Sequence, residues 1–149
     1  MSLSINKGDI YIMKETWNWI QATIAAAGGW LGYFLGGWDG FMYALVGFVV
    51  IDYITGVMCA VLDKKLSSEV GFRGIFKKVL IFSLVAIGHM VDQKLIGDGS
   101  VVRTAVVFFY LSNEGISIIE NAARIGLPVP KGLKDILGQL HDNGNKKDN

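Results

Sequence analysis

The 149 residues include one cysteine, two histidines and two prolines, and only 18% of them are charged. Each scarcity removes a class of protein. A lone Cys59 cannot close an internal disulfide, and within an apolar run it reads as a small buried thiol. His89 and His141 have no cysteine partner and no pair of carboxylates at ligand spacing, so no metal site is expected. No nucleophile elbow, phosphate loop, zinc-peptidase pattern or pair of catalytic carboxylates is present, and Ser112, Ser117 and Asp52 lack a histidine relay. No catalytic residue and no cofactor is therefore expected, and the chain does not read as an enzyme. The net charge of +1, from 14 basic and 13 acidic side chains, gives no field to draw in nucleic acid, and no basic stripe carries interleaved aromatics.

What is abundant is apolar. Hydrophobic residues make up 52% of the chain and mean hydropathy is +0.42, beyond the range of an ordinary soluble domain, which points to an all-α integral membrane protein. The run Phe41 to Leu62 is about 22 residues long, enough to cross a bilayer, and its single charge is Asp52 at the midpoint. An ionised carboxylate at that depth costs at least about 2.5 kcal/mol, so Asp52 must face protein or water and not lipid. Thr16 to Trp38 has no charged side chain. Val79 to Val91 is short for a crossing, but Lys77, Lys78 and Lys94 could snorkel to extend it. Val101 to Ile119 has the right length and carries Arg103 and Glu114, which neighbouring helices must shelter.

Four spans are expected from these stretches, at about 17–37, 41–62, 78–95 and 101–120, inside a membrane domain of residues 16–121. Residues 1–15 read as an N-terminal extension, 122–140 as a cytoplasmic amphipathic segment that starts again after Pro128 and Pro130, and 141–149 as a disordered polar tail. With four crossings, twelve of the fourteen basic residues fall on one face, which places both termini in the cytoplasm. The first twelve residues have no apolar core of a cleavable signal peptide, and neither end carries a lipidation box. Met13-Lys14 could serve as a second translation start. Val70 to Val79 has Phe72, Ile75, Phe76 and Val79 at helical spacing against Arg73, Lys77 and Lys78, as expected for a helix held with Lys64 and Lys65 at an anionic leaflet.

Two constellations stand out. Gly28, Gly32, Gly36 and Gly40 recur every fourth residue, a bare strip on which another helix can approach backbone to backbone. That helix belongs either to a second copy or to the same chain, or the strip ends as a glycine-rich turn. In the fourth stretch, a step of 100° per residue aligns Arg103, Tyr110, Glu114, Ser117 and Asn121 in one polar stripe. It faces either the interior of a compact bundle, satisfied by Asp52, His89 or Asp92, or a water-filled opening. Asp52 with Arg103 is the first pairing to expect.

Several segments together resemble the toxin-secretion and phage-lysis holin family of Gram-positive bacteria and their phages. They are Gly32-Tyr-Phe-Leu-Gly-Gly-Trp-Asp-Gly40, Asp52-Tyr-Ile-Thr-Gly56, Lys64-Lys-Leu-Ser-Ser-Glu-Val-Gly-Phe-Arg-Gly-Ile-Phe-Lys-Lys78, Phe108-Phe-Tyr-Leu-Ser-Asn-Glu-Gly-Ile-Ser-Ile-Ile-Glu-Asn121 and Gly126-Leu-Pro-Val-Pro130. The resemblance implies a homo-oligomer that accumulates in the cytoplasmic membrane and forms lesions. Through these an endolysin or a large toxin leaves, without necessarily touching the membrane protein. A small fixed-pore solute or ion channel, and an assembly partner of a secretion system, are the alternatives.

Overall fold

The computed structural model describes residues 6–97 and 99–132. The chain divides into two units, residues 1–37 and 38–149. The first unit holds helix α1, Lys7–Phe34, which runs without interruption through Met13. Along it Thr16 and Thr23 donate to the carbonyls of Ile12 and Trp19, at 2.8 Å each, and Trp30 stacks on Phe34.

The second unit is a bundle of α2 (Gly40–Leu62), α3 (Ser68–Val91) and α4 (Val101–Ile125), with one π-helical turn, Asp92–Ile96, extending α3. Each start has a local cause. The Asp39 carboxylate accepts from the Met42 amide at 2.8 Å, and the Ser67 hydroxyl accepts from the Val70 amide at 3.2 Å; both satisfy N–H groups that the first turn leaves bare. α4 ends at Gly126, whose φ of +102° is the left-handed conformation that glycine adopts without strain, and Pro128 and Pro130 follow.

Among the described residues three helices, Gly40–Leu62, Ser68–Ile96 and Val101–Ile125, are long and apolar enough to cross a membrane, where four spans are expected from the sequence. The helix that drops out is α1. Thr16 to Trp38 lacks charge but is diluted by Asn18, Gln21, two threonines and several glycines, and lack of charge is not the same as apolarity. The third span is also longer than expected: Val70 to Val79 is no separate surface helix but the first half of α3.

α4 packs most extensively on α2, next on α3, while α2 and α3 touch least. Contacts between α2 and α4 run in one direction: Phe41 meets Phe108, Asp52 meets Asn121, and Asp63 meets Arg124. α2 and α4 are thus parallel, with α3 antiparallel between them in sequence. The buried apolar residues Met42, Leu45, Val49, Ile81, Val85 and Val107 form a thin core. Outward-facing Phe72, Phe76, Leu80, Ile87 and Phe109 are exposed, which suits a lipid solvent and would be an aggregation liability in water.

Close approach between these helices uses glycines that the sequence pattern did not single out. A Cβ on Gly88 would lie 3.1 Å from the Arg103 Cα, one on Gly115 3.2 Å from the Phe48 ring, and one on Gly74 3.1 Å from the Tyr53 ring. By contrast, a Cβ at Gly28 or Gly40 would meet nothing within 4 Å. Gly36 has a φ of +83° in the turn after α1, so there the strip is a turn and not a helix face.

Candidate functional site

The polar stripe of α4 faces inward. Arg103, Glu114 and Asn121 are buried, with Tyr110 and Ser117 partly buried, so α2 and α3 supply what lipid cannot. The stripe is served at two levels, and the sequence placed the partners only in part.

At mid-depth, Lys78 of α3 donates to Asp52 Oδ2 of α2 at 2.5 Å and also to Glu114 Oε2 of α4. Asn121 extends the network, donating through Nδ2 to Asp52 Oδ1 at 3.3 Å and to Thr55 Oγ1 at 3.1 Å. The Cys59 thiol points at the Asn121 carbonyl oxygen, 3.5 Å away. Lys78 follows Ser68 by ten residues, and Asp52 and Glu114 precede the ends of α2 and α4 by ten and eleven, so all three lie about 15 Å from one end of the bundle. A hydrocarbon core about 30 Å thick that begins at those helix ends would have its midplane there. Cavities of about 220 and 500 Å³ flank the ammonium and share Asp52, Lys77, Lys78 and Ser117 as lining.

At the other end, Arg103 donates to Asp39 Oδ2 at 2.6 Å, with the guanidinium side chain 3% exposed and that of Asp39 44% exposed. This contact holds the Asp39 carboxyl below its ordinary pKa, through the hydrogen bond first and charge attraction after it. Asp92, fully buried at the π-helical turn, accepts from the amides of Val102 and Arg103 at 2.9 and 2.8 Å. The Ser100 side chain does not cap α4, and the Asp92 carboxylate from the preceding element accepts amides at the positive end of the helix.

The expected pairing of Asp52 with Arg103 is therefore corrected: Asp52 binds Lys78 and Arg103 binds Asp39. Because α2 and α4 are parallel, the third residue of α4 lies level with the start of α2 and far from its middle. Lys78 is likewise not a surface cation; its side chain is 15% exposed and bridges two helices. The remaining basic residues assigned to the surface, Lys64, Lys65, Arg73 and Lys77, are exposed, and Arg73 pairs with Glu69 at 3.0 Å. Sequence spacing could have found Lys78 had Ser68 to Ile96 been read as one span, since Lys78 then sits far from either end. Asp39 has only a weak signal, an acid shortly before an apolar run, whereas Asp92 is among the partners expected for the stripe and meets it through the amides of Val102 and Arg103. The amphipathic segment expected after Pro130 lies mostly outside the described residues, as does the polar tail. Among the described residues no group of His, Cys, Asp and Glu could hold a metal ion.

Comparison with known proteins agrees with the membrane architecture. A family model described as bacteriophage holin family matches residues 29–142. A 14.9 kDa uncharacterized protein from the nagH 3' region of Clostridium perfringens is 39% identical over 130 residues, covering 87% of this chain and 98% of the relative. An uncharacterized Listeria innocua protein is 45% identical over 118 residues, 79% of this chain and 84% of the relative. A probable holin of Bacillus phage phi105 is 37% identical over 98 residues, 66% of this chain and 72% of the phage protein. No solved structure matches the chain.

Proposed function

The chain belongs to the bacteriophage holin family, and from that premise we propose that it accumulates in the bacterial cytoplasmic membrane, associates with further copies and opens lesions for an endolysin or a large toxin. One observation carries the reading. A single subunit already buries Arg103, Glu114 and Asn121 of α4 against α2 and α3, while large apolar side chains of all three helices face outward. Such a subunit is stable in lipid when closed, and it holds in reserve the hydrophilic face that a water-filled lesion needs. Opening then exchanges the partners of Arg103, Tyr110, Glu114, Ser117 and Asn121 on α2 and α3 for water. The glycines of α1 offer the surface for self-association, and Lys64, Lys65 and Arg73, at or near the membrane edge, bind anionic headgroups, a role that the depth of Lys77 in α3 does not suit.

Three crossings put the α2–α3 connection and the end of α4 on the same face, together with Lys64, Lys65, Arg124 and Lys131. The positive-inside rule makes that face cytoplasmic. The start of α2 and the α3–α4 connection are then outside, and the C-terminal side is cytoplasmic. Thiol labelling in intact cells of single cysteines at Lys65 and Gly99, with Cys59 replaced by serine, checks this: Gly99→Cys reacts and Lys65→Cys does not.

Induced expression in a bacterium carrying a cytoplasmic endolysin tests the function. Abrupt depolarisation, release of a reporter of protein size and lysis are expected. A fixed-pore channel would depolarise the cells and retain the reporter, and a passive partner of a secretion system would do neither.

A further inference from the structure

The mid-depth group of Asp52, Lys78 and Glu114 does not balance. Two carboxylates meet one ammonium, and among the described residues Lys78 is the one cation within ion-pair distance of either acid. The groups that face this centre are known from all three helices. α2 brings Asp52 and Tyr53, α3 brings Lys77 and Lys78, and α4 brings Tyr110 and Glu114, with neutral Asn113, Ser117 and Asn121 around them. Lys77 lines both cavities but its side chain is exposed, and it makes no ion pair with either carboxylate. Asn121 donates to Asp52 and so satisfies a lone pair without supplying a charge. With both acids ionised, the three groups in direct contact would carry one net negative charge inside the bundle, which Lys77, turned outward, does not contact; an uncompensated charge deep in a bilayer costs at least about 2.5 kcal/mol.

We infer that Asp52 and Glu114 form a proton-binding site: the pair holds one dissociable proton beside the Lys78 ammonium, and the buried group of three is electrically neutral. Two carboxyls that share a site and cannot both ionise take up one proton as a pair, and its affinity belongs to the pair and not to either residue. The proton forms an O–H bond on a carboxylate oxygen. It arrives from water and returns to it, and two cavities, each roomy enough for several water molecules, adjoin the pair. The ligand is a proton and no metal or organic group is required. The inference rests on the bilayer placement of α2, α3 and α4, and it does not depend on permeabilisation.

Infrared spectroscopy of the full chain in phospholipid vesicles at neutral pH tests it, read at the carbonyl band of a protonated carboxyl group. The wild type should show one such band, which disappears as pH is raised. Asp52→Asn and Glu114→Gln should each abolish it completely, because the acid left behind is neutralised by Lys78. Lys78→Met should double it, because both acids then need a proton. Lack of the band in the wild type overturns the inference. So does survival of the band in one of the two amide variants, which would mean a proton bound to a single residue, and so does an undoubled band in Lys78→Met. Helix content by circular dichroism confirms that each variant is folded, and the wild-type spectrum decides even if one is not.

Discussion

The two levels of the polar stripe each bring two acids into the bundle and hold them differently. At the start of α4 the Arg103 guanidinium meets Asp39, while Asp92 is met by the backbone amides of Val102 and Arg103; at mid-depth the single ammonium of Lys78 meets Asp52 and Glu114 together. At the start of α4 each acid is thus answered separately. Asp92 accepts two amides at a helix N-terminus, where the backbone supplies partial positive charge, and Asp39 reaches solvent. The centre of a helix offers neither device, because every backbone amide there is already spent on the helix itself. The difference teaches that in a membrane bundle the position of a charge along its helix decides how it is neutralised, more than the list of partners does.

The comparison is broken most severely by removing the mid-depth cation. Lys78→Met should lower the stability of the detergent-solubilised protein by on the order of 3 kcal/mol near pH 8, where two acids remain without a cation. The deficit should shrink as pH falls. In this variant the folded state binds more protons than the unfolded state, so its stability declines as pH rises. Thermal unfolding followed by circular dichroism at several pH values reads both effects.

At the other end, Asp92→Ala leaves the amides of Val102 and Arg103 bare in a buried place and should cost about 1–3 kcal/mol with little pH dependence near neutrality. Gly88→Leu attacks the same junction by overpacking α3 against the α4 backbone, with a cost of about 1–3 kcal/mol in the same assay.

Asp39 sharpens the contrast at acid pH. Arg103 holds its folded-state pKa below the unfolded value, so the contribution of the pair is present above the ordinary carboxylate range and lost as pH falls through the depressed value. Asp39→Asn should therefore remove part of the acid limb of the unfolding profile and leave the alkaline limb unchanged. The smallest effect is expected at Arg73, whose pair with Glu69 has side chains 71% and 80% exposed: Arg73→Ala should change stability by less than about 0.5 kcal/mol.

Much of the fold was legible because hydrophobic length speaks directly of a bilayer. The runs that became α2 and α4 were bounded within a few residues, and the α4 stripe was found because helical periodicity is local. For α1 the sequence and the structure part: a count of charges overlooks Asn18, Gln21 and the glycines, which leave it less apolar than the three helices of the bundle. Lys78 was placed at the surface because the sequence around it alternates apolar and basic residues, the same pattern that a helix shows when its basic side turns inward to meet acids.

By itself the sequence determined that the protein is helical, that it belongs in lipid, and that Asp52, Arg103 and Glu114 need partners. Each follows from composition or from periodicity along one helix, which are properties of neighbouring residues. Only the tertiary structure decided which partners these are. Pairing across helices depends on their direction and level, and the parallel course of α2 and α4 with α3 reversed brings Lys78 to Asp52 and Glu114, and Asp39 to Arg103. No local pattern encodes that arrangement, because it is fixed by side chains from three separate segments packing at once.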